Sequence, residues 1–107
     1  MSVVGMGVVE DFADDIVSVL GDRVERVVLF GSYARGEELP GSDVDVLVVL
    51  SEVEEGDRSE VLDVAGEFFW SDDVFFSPKV ISKTDLEDKQ DFSLFQTIED
   101  EGVEVYG

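Results

Sequence analysis

The sequence predicts a single α/β (α+β) domain, residues 1–107, built as a mixed β-sheet packed with helices. Three observations carry that prediction. Segments of helical and strand periodicity follow one another in the order helix, strand, strand, helix, strand, helix, strand. The 107 residues have room for one core, and a 44% apolar content is too high for an acidic disordered tail. No repeat, low-complexity tract or Pro/Ser-rich linker divides the chain, whose two prolines, Pro40 and Pro78, lie far apart.

The elements follow in order. Val8, Phe12, Ile16, Val19 and Leu20 recur at helical spacing with acids between them, and Gly21 stands where a helix C-terminal glycine belongs, giving a helix over about Val8–Leu20. Val24–Phe30 is short, β-branched and apolar, as a buried strand should be, and runs straight into Gly31-Ser32. Around Ala34 there is room only for a brief helical turn before Gly36, and Glu37–Ser42, with Pro40-Gly41, reads as a turn. Asp43–Leu50 is the strongest strand. It alternates Asp43, Asp45, Leu47 and Val49 on one face with Val44, Val46, Val48 and Leu50 on the other, so the acids cluster at one strand end. Beyond a charged loop at Glu52–Asp57, the spacing of Val61, Leu62, Val64, Ala65, Phe68 and Phe69 predicts a second helix, with Ser59 as its cap. Val74–Ser82 is a further strand, which Pro78 places at a sheet edge or on a bulge because it cannot donate to a ladder. Thr84-Asp85 opens one helical stretch, buried through Leu86, Phe92, Phe95 and Ile98 and ending near Gly102, and Val103–Tyr106 is a last short strand.

Composition excludes several kinds of chemistry. With 27 acidic and 7 basic residues the formal net charge is −20, and there is no histidine and no cysteine. Disulfides, thiolate nucleophiles, cysteine-zinc sites and imidazole chemistry are therefore absent, and any metal sits on oxygen. Arg23, Arg26, Arg35, Arg58, Lys79, Lys83 and Lys89 are the whole cationic supply, which argues against DNA or RNA as the main partner. Charges in such excess repel over a Debye length of roughly 8 to 10 Å at ordinary salt. They point to an organism that accumulates salt or to a basic partner, two readings that are compatible. No apolar run approaches the ~18 residues of a membrane span, and Met1–Asp15 lacks the pattern of a secretion signal, so the expected location is cytoplasmic with no membrane partner.

One segment stands apart: Leu29-Phe30-Gly31-Ser32-Tyr33-Ala34-Arg35-Gly36, then a turn, then Ser42-Asp43-Val44-Asp45. A strand ending in Gly-Ser before a helical turn offers free backbone N–H groups and a hydroxyl to a phosphate, and Gly31 lets that phosphate approach closely. Asp43 and Asp45, two apart on a strand, leave one face roughly 6.5 to 7 Å apart along the backbone. Their carboxylates can converge on Mg²⁺, whose shell triphosphate oxygens and water complete. Such a pairing suits phosphoryl or nucleotidyl transfer.

Gly31-Ser32, the ten residues Tyr33 to Ser42, and Asp43-Val44-Asp45 resemble the signature of the polymerase-beta-like nucleotidyltransferase superfamily. Gly-Ser-Tyr-Ala-Arg-Gly with Ser-Asp-Val-Asp resembles its minimal branch, the MNT antitoxin-like proteins of HEPN/MNT pairs. The motif match covers residues 29–50, and the likeness in element order covers most of the chain. With the charge, it points to a halophilic archaeal source. The resemblance implies a polymerase-beta-like nucleotidyltransferase fold and transfer of NMP, commonly AMP from ATP. Gly31 and Ser32 would lie on the triphosphate and Asp43 and Asp45 on two Mg²⁺ ions. It also implies a HEPN-like protein partner, with this chain as antitoxin to that toxin and AMP placed on a hydroxyl of it.

The family also supplies a third carboxylate from a later strand, as metal ligand and proton acceptor, yet Val74–Ser82 contains no acid. Asp72 or Asp73, with Asp73 as the catalytic candidate, is expected either to reach the site from the strand's beginning or to be a surface acid; Ser77 or Lys79 could equally occupy the position. Arg35 either binds the nucleotide or pairs with local acids. Tyr33 and Trp70 are read as packing residues, Ser42 as shaping the turn, and the acids of Glu52–Asp57 and Glu99–Glu101 as solvated faces. The alternative to a transferase is a degenerate member of the fold that neutralises its partner by occlusion, which the missing acid favours.

Overall fold

The computed structural model describes residues 6–31 and 43–107. Helix α1 (Met6–Leu20) leads through a single 3-10 turn at Gly21–Arg23 into β1 (Val24–Phe30), followed by β2 (Val44–Leu50) and helix α2 (Asp57–Asp72). Strand β3 (Phe76–Ser82), helices α3 (Lys83–Asp88) and α4 (Ser93–Glu101) and strand β4 (Val103–Tyr106) complete the chain. The four strands form one mixed sheet in the order β3-β2-β1-β4. β1 runs antiparallel to β2 and β4, whereas β2 and β3 are parallel and joined through α2, as a parallel pair requires. Pro78 lies on β3, an outer strand, opposite Val46, as its missing N–H requires.

The alternation read from β2 separates two apolar layers. Val44, Val46, Val48 and Leu50 pack with Phe12 and Ile16 of α1 and with Val61, Val64 and Phe68 of α2. Leu47 and Val49 face the other way, against Val28, Phe30, Ile81 and Ile98. On the first face Phe12 stacks on Phe76 at 4.2 Å between centroids, and Phe68 meets both rings edge-on, tying α1, α2 and β3 together. Val24 and Val27, an odd number apart, share that face because the β1–β2 register shifts between Val24 and Arg26. No helix among the described residues is long and apolar enough to cross a membrane.

Several expectations need correction. Helix α2 begins four residues before Val61, with Gly56 at φ 90° as its N-cap, so Ser59 lies inside the first turn and caps nothing. Asp57 is not solvated but 3% exposed. Its carboxylate accepts two hydrogen bonds from the Arg23 guanidinium, 2.5 and 2.8 Å, and one of 2.6 Å from the Glu54 N–H. Those donors hold Asp57 below the usual carboxylate range against the opposing effect of burial, and the same bond raises Arg23. The single helix expected before Gly102 is two. The Ser82 hydroxyl caps α3 by accepting the Asp85 N–H at 3.1 Å, and the polar run 89–91 ends it, which leaves Phe92 as the exposed N-cap of α4 rather than a core residue. Ile98 is buried, with Leu86 and Phe95 half-buried beside it.

Candidate active site

Three described residues meet where β1 ends and β2 begins. Phe30 pairs with Asp45 across the antiparallel ladder, and Gly31 follows at φ +77°, a left-handed conformation that favours glycine. A Cβ built on Gly31 would overlap Asp45 Oδ2 and come within 3.2 Å of its carboxyl carbon. The glycine thus holds space for the Asp45 carboxylate itself, in addition to the access expected for a phosphate. Asp45 is half-buried and Asp43, one residue before β2, is exposed. The alternation that sends Leu47 and Val49 into the smaller apolar layer puts Asp45 on that same face, at its solvent-facing end.

Ser32 and Arg35 lie outside the described residues, as do Tyr33 and Ser42. Asp73 is the exposed C-cap of α2, at φ 58°, with its backbone N–H on the Phe68 carbonyl. It lies two residues before Phe75, whose carbonyl accepts the Val44 N–H at 2.8 Å. In the β2–β3 register the residue opposite Asp45 is Ser77, and Lys79 stands opposite Leu47. Neighbours in a parallel ladder share a face about 4.8 Å apart, so a serine and then a lysine occupy the places where a strand-borne third acid would stand.

Among the described residues no group of three or more carboxylates converges as a metal cage. The donor set still fits Mg²⁺, which takes one or two protein carboxylates and completes its shell with phosphate oxygens and water. A cavity of about 570 Å³ lies elsewhere on this face, between Val49, Arg26, Lys83 and Phe95. Val49 is four residues along β2 from Asp45, roughly 13 Å away, so the cavity is separate from the acid end. At its edge Arg26 donates to Glu99 at 2.9 Å and to Glu104 at 2.6 Å; Glu99 is exposed, as expected for that acidic group, while pairing with Arg26.

A family model described as nucleotidyltransferase domain matches residues 10–104. A Methanocaldococcus jannaschii protein assigned as a protein adenylyltransferase, MJ0141, is 34% identical over 99 residues, covering 92% of this chain and 95% of that protein. Among solved structures, a toxin–antitoxin crystallised with AMP-PNP is similar at a TM-score of 0.63 and 19% identity, over 92% of this chain and 73% of that one. The complex of a tri-AMPylated HEPN toxin from Shewanella oneidensis with its MNT antitoxin aligns with a TM-score of 0.55 and 14% identity, over 96% of this chain and 73% of that one. These two likenesses are of fold, and they agree with the four-stranded mixed sheet and its helices.

Proposed function

This chain belongs to the nucleotidyltransferase domain family, and on that premise we propose that it transfers AMP from ATP to a hydroxyl of a partner protein, as the antitoxin of a HEPN/MNT-type pair. The observation that carries the reading is the close approach of Gly31 to the Asp45 carboxylate, which supports a site where β1 ends beside the start of β2. The similarity to a protein adenylyltransferase over 95% of that protein's length supports AMP and a protein acceptor.

In the proposed reaction the acceptor hydroxyl oxygen forms a bond to the α-phosphorus. The bond from that phosphorus to the α–β bridging oxygen breaks, pyrophosphate leaves, and the hydroxyl proton passes to a base. Gly31, Ser32 and Arg35 would bind the triphosphate, and Asp43 and Asp45 would hold Mg²⁺, two ions in the active complex. Bound Mg²⁺ supplies neutralisation of phosphate charge. Asp73, the C-cap of α2, is the proposed proton acceptor. The chain acts in the cytoplasm of a salt-accumulating organism, with neither membrane nor nucleic acid as its partner.

Ser77 opposite Asp45 favours a second reading, a binding antitoxin that acts by occlusion. The test is to incubate the protein with its HEPN-like partner, ATP and Mg²⁺ in molar KCl and follow the mass of both chains. Gain of AMP on the partner supports the transferase. A stable complex with no gain over hours decides for occlusion.

A further inference from the structure

Helix α2 buries Val61, Val64, Ala65 and Phe68, yet its outer face is not polar throughout. Leu62 is 58% exposed, Phe69 42% and Trp70 85%, and Phe75, just ahead of β3, is 57% exposed. The rings form one strip, with Phe69 edge-on to Trp70 at 5.5 Å and to Phe75 at 5.6 Å between centroids. Gly66 lies between Leu62 and Trp70, four residues from each, and a Cβ there would meet nothing within 4 Å. The gap it leaves opens a shallow apolar cavity of about 250 Å³ among these side chains. Contiguous exposed aromatics of this kind mark interaction surfaces, and tryptophan is enriched among the residues that dominate binding energy. Since the Phe75 carbonyl holds the Val44 N–H at 2.8 Å, the strip abuts the strand end that carries Asp43 and Asp45.

Charge selects the occupant. Exposed Asp63, Glu67, Asp72 and Asp73 border the strip on α2 and at its C-cap. Among the described residues, the cations Arg58 and Lys79 line a pocket with Leu62, at that end of the strip, and Arg58 donates to the Val80 carbonyl at 3.3 Å. A second copy of this chain would set the same acids against these at contact distance, as would the phosphates of an anionic membrane or nucleic acid, and such juxtaposition is unfavourable even where salt screens the longer-range repulsion. We propose that the Leu62–Phe69–Trp70–Phe75 strip docks a basic segment of the acceptor protein, an apolar side chain entering the cavity and flanking Lys or Arg meeting the acids. The proposal rests on the reading that the acceptor is a protein, and it assigns the surface that delivers the acceptor to the acid end.

Trp70 is the sole tryptophan of the chain, so its emission reports on this surface alone. The probe is a synthetic peptide with Leu, Phe and Tyr flanked by Lys and Arg, compared with the same core flanked by Glu, titrated into the full chain. Saturable blue-shifted emission is expected with the basic peptide and none with the acidic one. Phe75→Ser and Leu62→Ser, both at exposed positions, should each weaken that binding at least ~10-fold, as loss of a hot-spot side chain does. An unshifted spectrum, equal response to both peptides, a response to phosphatidylserine vesicles, or a shift with protein concentration alone would each overturn the proposal. Binding needs no turnover. A shifted Trp70 without AMP transfer therefore refutes the transferase and leaves the dock, whereas AMP transfer to the HEPN-like partner unaltered by Phe75→Ser refutes the dock and leaves the transferase.

Discussion

Replacing Gly31 by alanine places a methyl group where the Asp45 carboxylate now lies, and the structure supplies its own control. Gly31 and Gly21 both have left-handed backbone, φ +77° and +65°. At Gly21 a Cβ would meet nothing within 4 Å, whereas at Gly31 it overlaps Asp45 Oδ2. Each substitution carries the left-handed penalty of roughly 1–2 kcal/mol. For a domain of this size that lowers the thermal midpoint by about 5–10 °C. Only Gly31→Ala must also push the carboxylate aside. Rotation about a short side chain accommodates that push, so the two variants should unfold within a few degrees of each other. Function should separate them, because a misplacement of about 1 Å in a positioned group costs on the order of 10²-fold in rate. The assay is AMP transfer to the HEPN-like partner with ATP and Mg²⁺, read alongside thermal melts of both variants in molar KCl. Gly21→Ala should keep the wild-type rate at a reduced midpoint and Gly31→Ala should lose about two orders of magnitude. Full turnover in Gly31→Ala would refute the assignment of Asp45 as a positioned active-site carboxylate.

Other expectations follow from the same residues. Asp43→Asn with Asp45→Asn should abolish Mg²⁺-dependent ATP binding while the circular dichroism spectrum stays that of the wild type; undiminished Mg²⁺·ATP affinity would sink the site. Asp73→Asn should lower turnover ~10²- to 10⁴-fold with ATP affinity kept, if that carboxylate takes the hydroxyl proton. A wild-type rate in that variant would remove Asp73 from the mechanism. Asp57→Asn loses the charged partner of Arg23 and should destabilise by about 1–2 kcal/mol, the low end of the range, since the Arg23 side chain is 27% exposed and re-solvates. Because the folded-state pKa of Asp57 is lowered, the native state binds fewer protons than the unfolded chain below about pH 4, and stability there rises with pH. In urea melts the gap between wild type and variant should be full above about pH 4 and close as the pH falls through the lowered value. A gap independent of pH would refute the charged pair. The thermal midpoint of the wild type should climb from low salt to about 2 M KCl as the −20 charge is screened, and a flat response would remove the argument for a salt-rich cytosol.

What the sequence by itself determined is whatever local pattern controls. Strict alternation from Asp43 to Leu50 was enough to assign both faces of β2 and to put its acids at one end, since side chains on a strand can only alternate. The apolar run Val24–Phe30 fixed β1 to the residue, and a proline without an N–H limited β3 to an edge or a bulge, of which the sheet order shows the edge. The Gly31-Ser32 and Asp43-Val44-Asp45 spacing marked the family. Only the tertiary structure decided the remainder, because each feature depends on partners distant in the chain. Asp57 is buried because Arg23, 34 residues away, reaches it with two hydrogen bonds, a pairing that no spacing rule encodes among 27 acids. Trp70, read as a packing residue, stands in solvent because α2 turns Phe68 rather than Trp70 toward Phe12 and Phe76. Ser77 stands beside Asp45 because the β2–β3 register puts it there, and register between strands joined by a long crossover is set by packing of the whole sheet, not by either strand's own residues.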